Sequence, residues 1–167
     1  MGINAETVEL LAEYAKADGA GRSVMELGGQ DLTPMPKTLP RLLTGAGLKV
    51  GEPIETARAL YQALGFADYK CIDAIDQHGA LNFDLNLDLQ ATYGFDEQFD
   101  LVTNFGTSEH CFNQYACFKS IHDMCRTGGL MVHGLPCSGY PNHGFFSYHP
   151  PFFADLAAAN GYEIVWL

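Results

Sequence analysis

Several features are scarce or missing in this 167-residue sequence, and each absence narrows the class of protein. Positive charge is scarce, because nine Lys and Arg stand against 20 Asp and Glu, giving a formal net charge of −11. A field of that sign repels a phosphate backbone and an anionic membrane surface. We therefore expect neither nucleic acid nor a membrane as a partner.

Targeting segments and paired cysteines are missing as well. The start of the sequence lacks the basic and apolar regions of a signal peptide, and no apolar run approaches the roughly 18 residues of a membrane span. The five cysteines are odd in number and include no CxxC pair, which argues against a disulfide framework or a structural zinc site. These absences predict a cytoplasmic protein.

Standard nucleophile and phosphate-binding motifs are also absent. The sequence has no G-x-S-x-G elbow, no GxGxxG fingerprint and no P-loop. Ser108, Glu109 and His110 are consecutive, but neighbours on a turn point in different directions and cannot form a triad by adjacency. A serine hydrolase is therefore a poor interpretation, and Ser108 is expected to cap the helix that follows.

What the sequence does contain is an alternation of apolar strands and helices. Apolar residues make up 47%, which is enough for a single domain over residues 1–167. One short strand is expected just before Gly28, and residues 31–53 carry enough proline and glycine to predict a loop or lid. The pattern predicts helices at 5–17, 54–66, 114–126 and 151–160, and further strands at 69–75, 80–86, 99–106, 130–136 and 162–167. Such alternation is typical of an α/β fold with a doubly wound, mostly parallel sheet.

Polar and glycine residues collect where the predicted strands end. Glu26 is followed by Gly28 and Gly29, Asp73 lies near the end of the next strand, and Asp84 lies near the end of the third. In doubly wound sheets, ligands bind at the carboxyl ends of the strands near the topological switch point. A carboxylate there can accept hydrogen bonds from ribose hydroxyls or an exocyclic amine. A structural turn and solvated acids remain the alternative interpretation.

The order of these features resembles the class I S-adenosylmethionine-dependent methyltransferases. ELGGQ is similar to their first motif, and the segment FDLVTNFGTSEHCFNQ is similar to their fourth strand and its loop. The resemblance covers roughly residues 20–167 and implies a Rossmann-like methyltransferase fold. It implies S-adenosylmethionine as the cofactor and a small-molecule acceptor. The residues that it implies for cofactor binding are Glu26, Gly28, Gly29, Gln30, Asp73, Asp84, Leu85, Asn104, Phe105 and Gly106.

The acceptor side is expected in the loop 137–150, which is rich in aromatic residues. A histidine near that loop could take a proton from a hydroxyl or amine acceptor, and the candidates for catalysis are His110 and His143. An alternative is a metal-dependent hydrolase or lyase that uses His110, His133 and His143, although their spacing matches no standard metal site. No metal is assigned on this basis.

The sequence also departs from the methyltransferase pattern. Gln30 stands where that pattern has glycine, and the sequence predicts six strands, with the seventh strand of the family absent. An open apolar edge invites association, so a homodimer or a partner chain is expected to cover it. A non-catalytic module, or a subunit of a larger enzyme, is the further alternative.

Overall fold

A computed structural model describes residues 2–18, 22–32, 38–48 and 54–167 of the chain. The helices are α1 (Ala5–Asp18), α2 (Leu39–Gly45), α3 (Ala57–Ala63), α4 (Leu89–Tyr93), α5 (Gln114–Met124) and α6 (Pro150–Asn160). The strands are β1 (Arg22–Leu27), β2 (Phe66–Asp73), β3 (Leu81–Asn82), β4 (Phe99–Phe105) and β5 (Cys125–Gly134). A 3-10 turn at Ser108–His110 lies between β4 and α5.

The five strands form one parallel sheet in the order β3-β2-β1-β4-β5. The order reverses between β1 and β4, which is the topological switch point of a doubly wound sheet. All seven residues of β4 are buried, as expected for a central strand that is covered on both faces. This confirms the predicted α/β class and the Rossmann-like arrangement of the sheet.

Helices cover both faces of the sheet, so the core has two halves. One half packs α1, α2 and α3 against inward-facing residues such as Val24 and Leu101. The other packs α4 and α5 against residues such as Met25, Leu27 and Val102. Alternation along β1 sends neighbouring side chains to opposite halves, as the two-residue period of a strand requires. None of the helices in the described residues combines the length and apolar character that a bilayer crossing needs.

The prediction of a last strand at 162–167 is wrong. Residues 162–167 form no strand, and their apolar side chains from Ile164 to Leu167 are exposed. The apolar run YEIVWL has the composition of a strand, but it pairs with no neighbour in the described part of the sheet. The sheet therefore has five strands in the described residues, where the sequence predicted six.

The boundaries of other helices and strands also differ from the predicted ones, because capping hydrogen bonds decide where these elements begin more than the apolar pattern does. The strand expected at 80–86 is reduced to Leu81–Asn82, and α4 was not predicted. Asp88 accepts a hydrogen bond from the Ala91 N–H and so caps α4. Asn113 caps α5 in the same way through Ala116, which corrects the role expected for Ser108.

Two further segments depart from their predicted extents. β5 begins at Cys125 and includes Gly128–Gly129, which had been expected to separate the helix from the strand. Its pairing with β4 is irregular between Phe99 and Leu101, because β5 carries extra residues between their partners Cys125 and Leu130. Within the proline-rich segment 31–53, Pro40 lies in the first turn of α2. Residues 33–37 and 49–53 lie outside the described residues, so the prediction of a lid is not tested there.

A buried carboxylate joins three strands at the end of the sheet opposite the candidate site. Asp100 Oδ2 accepts hydrogen bonds from the N–H of Ser23 (2.7 Å) and from its hydroxyl (2.8 Å), and Oδ1 pairs with Arg126. Burial by itself raises the pKa of Asp100. The hydrogen bonds from Ser23 and the charge of Arg126 outweigh that effect and hold the pKa below its ordinary value of 3.8.

We expect Asp100→Asn to lower the free energy of unfolding at neutral pH by about 1.5–3 kcal/mol, because the variant loses charge-assisted hydrogen bonds. A carboxylate with a lowered pKa stabilises the fold above its unfolded pKa and ceases to do so as pH falls through its native pKa. The difference between the two proteins should therefore shrink below about pH 4. Urea denaturation at several pH values measures it. The exposed Asp96→Asn is the charge-matched control, and an equal loss in both variants would contradict the prediction.

Candidate functional site

The turn after β1 is hydrogen-bonded to β2, and the turn after β4 is hydrogen-bonded to the end of β1. The Gly28 N–H donates to the Ile72 carbonyl at 2.7 Å, and the Thr107 hydroxyl donates to the Leu27 carbonyl at 2.7 Å. Gly28 has φ +74°, and a Cβ on it would lie 2.5 Å from Thr107 Oγ1. Glycine is thus required here both by backbone conformation and by the close approach of Thr107.

Asp73 occupies the end of β2 and faces the glycine turn. Its Oδ2 accepts from the Gly29 N–H at 2.8 Å, its Oδ1 accepts from the Ile75 N–H at 2.9 Å, and Gln77 Nε2 lies 3.3 Å from Oδ2. The imidazole of His78 packs against Gly29. A carboxylate can accept about four hydrogen bonds, so these three donors leave Asp73 room for about one more. If the Gln77 side chain moved aside, Asp73 could accept about two.

Asp84 lies after β3 and is the more accessible carboxylate. It is exposed, and its Oδ1 accepts from the backbone N–H and the side-chain amide of Asn86. Its Oδ2 accepts no hydrogen bond from the described residues. The adjacent Leu85 is buried in the core, so it holds the loop in place. Asp84 can therefore accept a ligand's N–H or O–H without disturbing an internal contact.

The residues at the end of β4 shape the following turn. Buried Asn104 donates from Nδ2 to the Ser108 hydroxyl (2.9 Å) and accepts the Ser108 N–H at Oδ1 (3.1 Å). Phe105 is buried in the core, and Gly106 begins the turn toward Thr107. Of the residues predicted here, Gly106 is half-buried, whereas Asn104 and Phe105 are buried.

Glu26 is completely buried beneath the edge. Its Oε2 accepts from the Tyr69 hydroxyl at 2.7 Å and from the Gln30 N–H at 3.3 Å, while Oε1 has no hydrogen-bond partner among the described residues. Burial raises the pKa of Glu26 to about 7, and the hydrogen bonds from Tyr69 and Gln30 oppose that rise. The Gln30 side chain turns back to the Leu27 carbonyl, which closes the loop where glycine had been expected.

A second cluster is centred on Glu109, four residues after the end of β4. Glu109 in the 3-10 turn is fully buried, and its Oε1 lies 3.2 Å from His143 Nε2 and 3.8 Å from His110 Nε2. The two imidazole rings are 5.1 Å apart. The structure therefore brings together His110 and His143, which the sequence proposed as catalytic, and adds Glu109 between them.

The loop 137–150 is held against this cluster by backbone contacts. The N–H groups of Phe145 (2.8 Å) and Phe146 (3.3 Å) both point at the Glu109 carbonyl. A Cβ on Gly144 would lie 2.6 Å from Glu109 Cγ and 2.9 Å from its carbonyl oxygen, so only glycine allows the loop to come this close. The loop expected on the acceptor side thus packs on the turn that follows β4.

His133 does not join the cluster. Its Nδ1 lies 3.3 Å from Asn104 Nδ2, and its ring packs against Phe118 and Phe153. Burial lowers the pKa of His133 to about 4, so the imidazole is neutral near pH 7. The set His110, His133 and His143, considered as a metal site from sequence, is therefore not brought together as such.

Exposed aromatic side chains lie in the same two segments as the clustered histidines. Tyr140 lies 5.9 Å from the His143 ring, and Phe112 and Phe145 meet edge to face at 6.5 Å. We call Phe112, Tyr140 and Phe145 the aromatic rim. All three are exposed, with Phe112 and Phe145 at 79% and 70%. Exposed rings beside polar groups are a common feature of surfaces that bind ligands.

Comparison of the chain with protein-family models, with curated proteins and with solved structures gives no match. No relative therefore assigns a role to any residue of the candidate site.

The raised pKa of the buried Glu26 predicts how the stability of the fold depends on pH. Between pH 4.5 and 7 the folded state keeps a proton that the unfolded state releases, so this residue makes the fold less stable as pH rises through that range. The contribution amounts to about 3 kcal/mol at pH 7, at about 1.4 kcal/mol per pH unit. We expect Glu26→Gln, which cannot ionise, to remove this loss and to be more stable than the wild type near neutral pH.

Chemical denaturation at pH 4.5, 5.5 and 7 measures the effect. The exposed Glu13→Gln is the control for the removal of one negative charge, and it should follow the wild-type curve. A stability difference between Glu26→Gln and wild type that does not change with pH would contradict the prediction.

Proposed function

We propose that this protein transfers a methyl group from S-adenosylmethionine to a hydroxyl or amine of a small molecule. The observation that carries the proposal is the arrangement of one edge of the sheet. The strand order β3-β2-β1-β4-β5 brings together the Gly28 turn, Asp73, Asp84 and the Gly106 turn. This is the order of features that the resemblance to class I methyltransferases implies, at the place where doubly wound sheets bind ligands.

The donors and acceptors at this edge suit an uncharged nucleoside. Asp84 has a carboxylate oxygen available for the exocyclic amine of adenine, and Asp73 has capacity for a ribose hydroxyl. The cofactor has no phosphate, so it needs no basic cradle, which agrees with a chain of net charge −11. Gly28 and Gly29 are also explained by the packing of Thr107 and His78, so the two carboxylates are the stronger support.

When bound, S-adenosylmethionine supplies a methyl group on a sulfonium, which reacts as the acceptor atom bonds to carbon and the carbon–sulfur electron pair returns to sulfur. The protein's main contribution is then to hold the acceptor in line, and orientation alone can be worth roughly 7–11 kcal/mol. A hydroxyl or amine acceptor must also lose a proton. His110 and His143 would act on that proton, since they lie beside the turn after β4 and are partly exposed.

A metal-dependent hydrolase or lyase is the second candidate, and one observation favours it. Glu109, His110 and His143 converge in a geometry that could hold an ion. Such an enzyme would need no nucleoside at the edge formed by Asp73 and Asp84. Binding of S-adenosylhomocysteine therefore separates the two candidates.

We expect S-adenosylhomocysteine to bind the folded protein in calorimetry, and Asp84→Ala to weaken that binding by about 10- to 100-fold. This is the effect of losing a hydrogen bond to a charged acceptor, about 1.5–3 kcal/mol. Asp73→Asn should weaken binding too, while it keeps the size of the side chain beside Gly29.

Asp76→Ala is the matched control, because Asp76 is an exposed acid in the same loop as Asp73. It should leave the affinity unchanged within about twofold, as an exposed charge that makes no hydrogen bond to the ligand contributes little. Thermal unfolding of each variant shows that it is folded. Absence of binding to the folded wild type, or equal affinity in Asp84→Ala and Asp76→Ala, would refute the proposed function.

A further inference from the structure

One carboxylate and two imidazoles, all common metal ligands, meet at the turn after β4. One carboxylate oxygen of Glu109 and one ring nitrogen each of His110 and His143 lie within 4.8 Å of one another. Both imidazoles turn Nε2 toward the same oxygen, Glu109 Oε1, at 3.8 and 3.2 Å. The two histidines come from separate segments, so this convergence is a product of the fold and not of sequence spacing.

Two of the three distances between ligand atoms are close to those of a coordination shell, and the third, between the two ring nitrogens, is within 4.8 Å. Ligand atoms about 2.1 Å from a tetrahedral ion lie about 3.4 Å from one another. The contact between Glu109 and His143 is already near that value, and the contact between Glu109 and His110 exceeds it by a few tenths of an ångström. Small rotations of the two rings would therefore complete a three-ligand set.

A second, independent observation concerns the burial of Glu109. Glu109 has no exposed surface, and its Oε2 has no hydrogen-bond partner among the described residues. Burying a carboxylate oxygen without a partner costs roughly 1–3 kcal/mol or more. A cation held by this carboxylate would offset that cost, as buried charges in proteins are generally paired or bind metals.

The carboxylate is held in place by contacts that do not depend on an ion. The Phe145 N–H is hydrogen-bonded to the Glu109 carbonyl at 2.8 Å, and Gly144 packs against the Glu109 side chain. On the other side, Asn104 fixes Ser108 through two hydrogen bonds. A site whose supporting contacts already exist pays little to organise when the ligand arrives.

We propose that Glu109, His110 and His143 bind one divalent first-row transition-metal ion, of the class that includes Zn²⁺ and Fe²⁺. Two imidazoles and one carboxylate suit these ions, whereas Mg²⁺ and Ca²⁺ prefer oxygen ligands. Three protein ligands leave at least one coordination position open. His110 is 49% exposed, so the cluster lies at the surface, where a ligand can reach it.

The role of the ion, in contrast to its binding, rests on the proposed function. With both histidines bound to the ion, an oxygen of the acceptor that occupies the open position would be polarised and would release its proton to solvent more readily, so the ion would replace the histidines in promoting proton loss. Tyr140 of the aromatic rim lies beside His143, and the rim would contact the rest of the acceptor. The site would therefore favour acceptors with a hydroxyl group over amines.

Titration of the metal-free full-length protein with Co²⁺, followed by its visible absorption, tests the binding. We expect one ion per chain and no thiolate-to-metal band, since no cysteine belongs to the set. His143→Ala and Glu109→Gln should each weaken binding by at least roughly 100-fold, because even residues that only support a metal ligand are worth 10- to 100-fold.

Two controls keep the test decisive. His122→Ala removes an exposed histidine on α5 and should not change the affinity. Cys137→Ser addresses the nearby pair Cys137 and His149, whose Sγ and Nδ1 lie 3.8 Å apart, and should leave the spectrum unchanged. If His143→Ala does not fold, the exposed His110→Ala takes its place. Failure to bind Co²⁺ stoichiometrically, or equal affinity in His110→Ala and His122→Ala, would overturn the proposal.

Calorimetry of S-adenosylhomocysteine with the metal-free protein separates this proposal from the proposed function. Nucleoside binding without stoichiometric Co²⁺ binding overturns the metal site and leaves the methyltransferase proposal standing. Co²⁺ binding without nucleoside binding supports the metal site and refutes methyl transfer.

Discussion

Because every strand of the sheet runs in the same direction, its carboxyl ends meet at one edge, and the candidate site depends on that constraint. Gly28, Asp73 and Asp84 are far apart in the chain, yet the pairing of β1 with β2 and of β2 with β3 brings them to this edge. The pairing of β1 with β4 adds the turn that contains Thr107. Polar groups accumulate there because the strand interiors leave no room for them in the core.

Contacts within the β4 turn connect this edge to the cluster of histidines. Thr107 is bonded to the end of β1, and Asn104 is bonded twice to Ser108, so the backbone that precedes Glu109 is fixed on both sides. The next backbone group, the Glu109 carbonyl, then anchors the loop 137–150. The edge formed by the strand ends and the cluster of histidines are thus two faces of one short turn, so a displacement of either would affect the other.

The α/β class and the positions of Asp73 and Asp84 at strand ends followed from the alternation of apolar strands with helices. Apolar pattern does not report pairing, however, so the run at 162–167 was predicted as a strand although it meets no partner in the described sheet. The site was predicted only in part for a similar reason. His110 and His143 were proposed separately as catalytic, but their convergence on Glu109 depends on Gly144, whose importance lies in a tertiary contact that no local pattern reveals.

Glu26 and Glu109 illustrate how neighbours decide what a buried carboxylate does. Each is fully buried, and each keeps one oxygen without a hydrogen-bond partner among the described residues. Glu26 is surrounded by groups such as Tyr69 that donate hydrogen bonds but carry no charge, so protonation relieves the cost of its burial. Glu109 faces two imidazoles, which can take up a proton or give their lone pairs to an ion. The first carboxylate is therefore a buried hydrogen-bonding group of the core, and the second, which lies beside the exposed His110, is the one suited to chemistry.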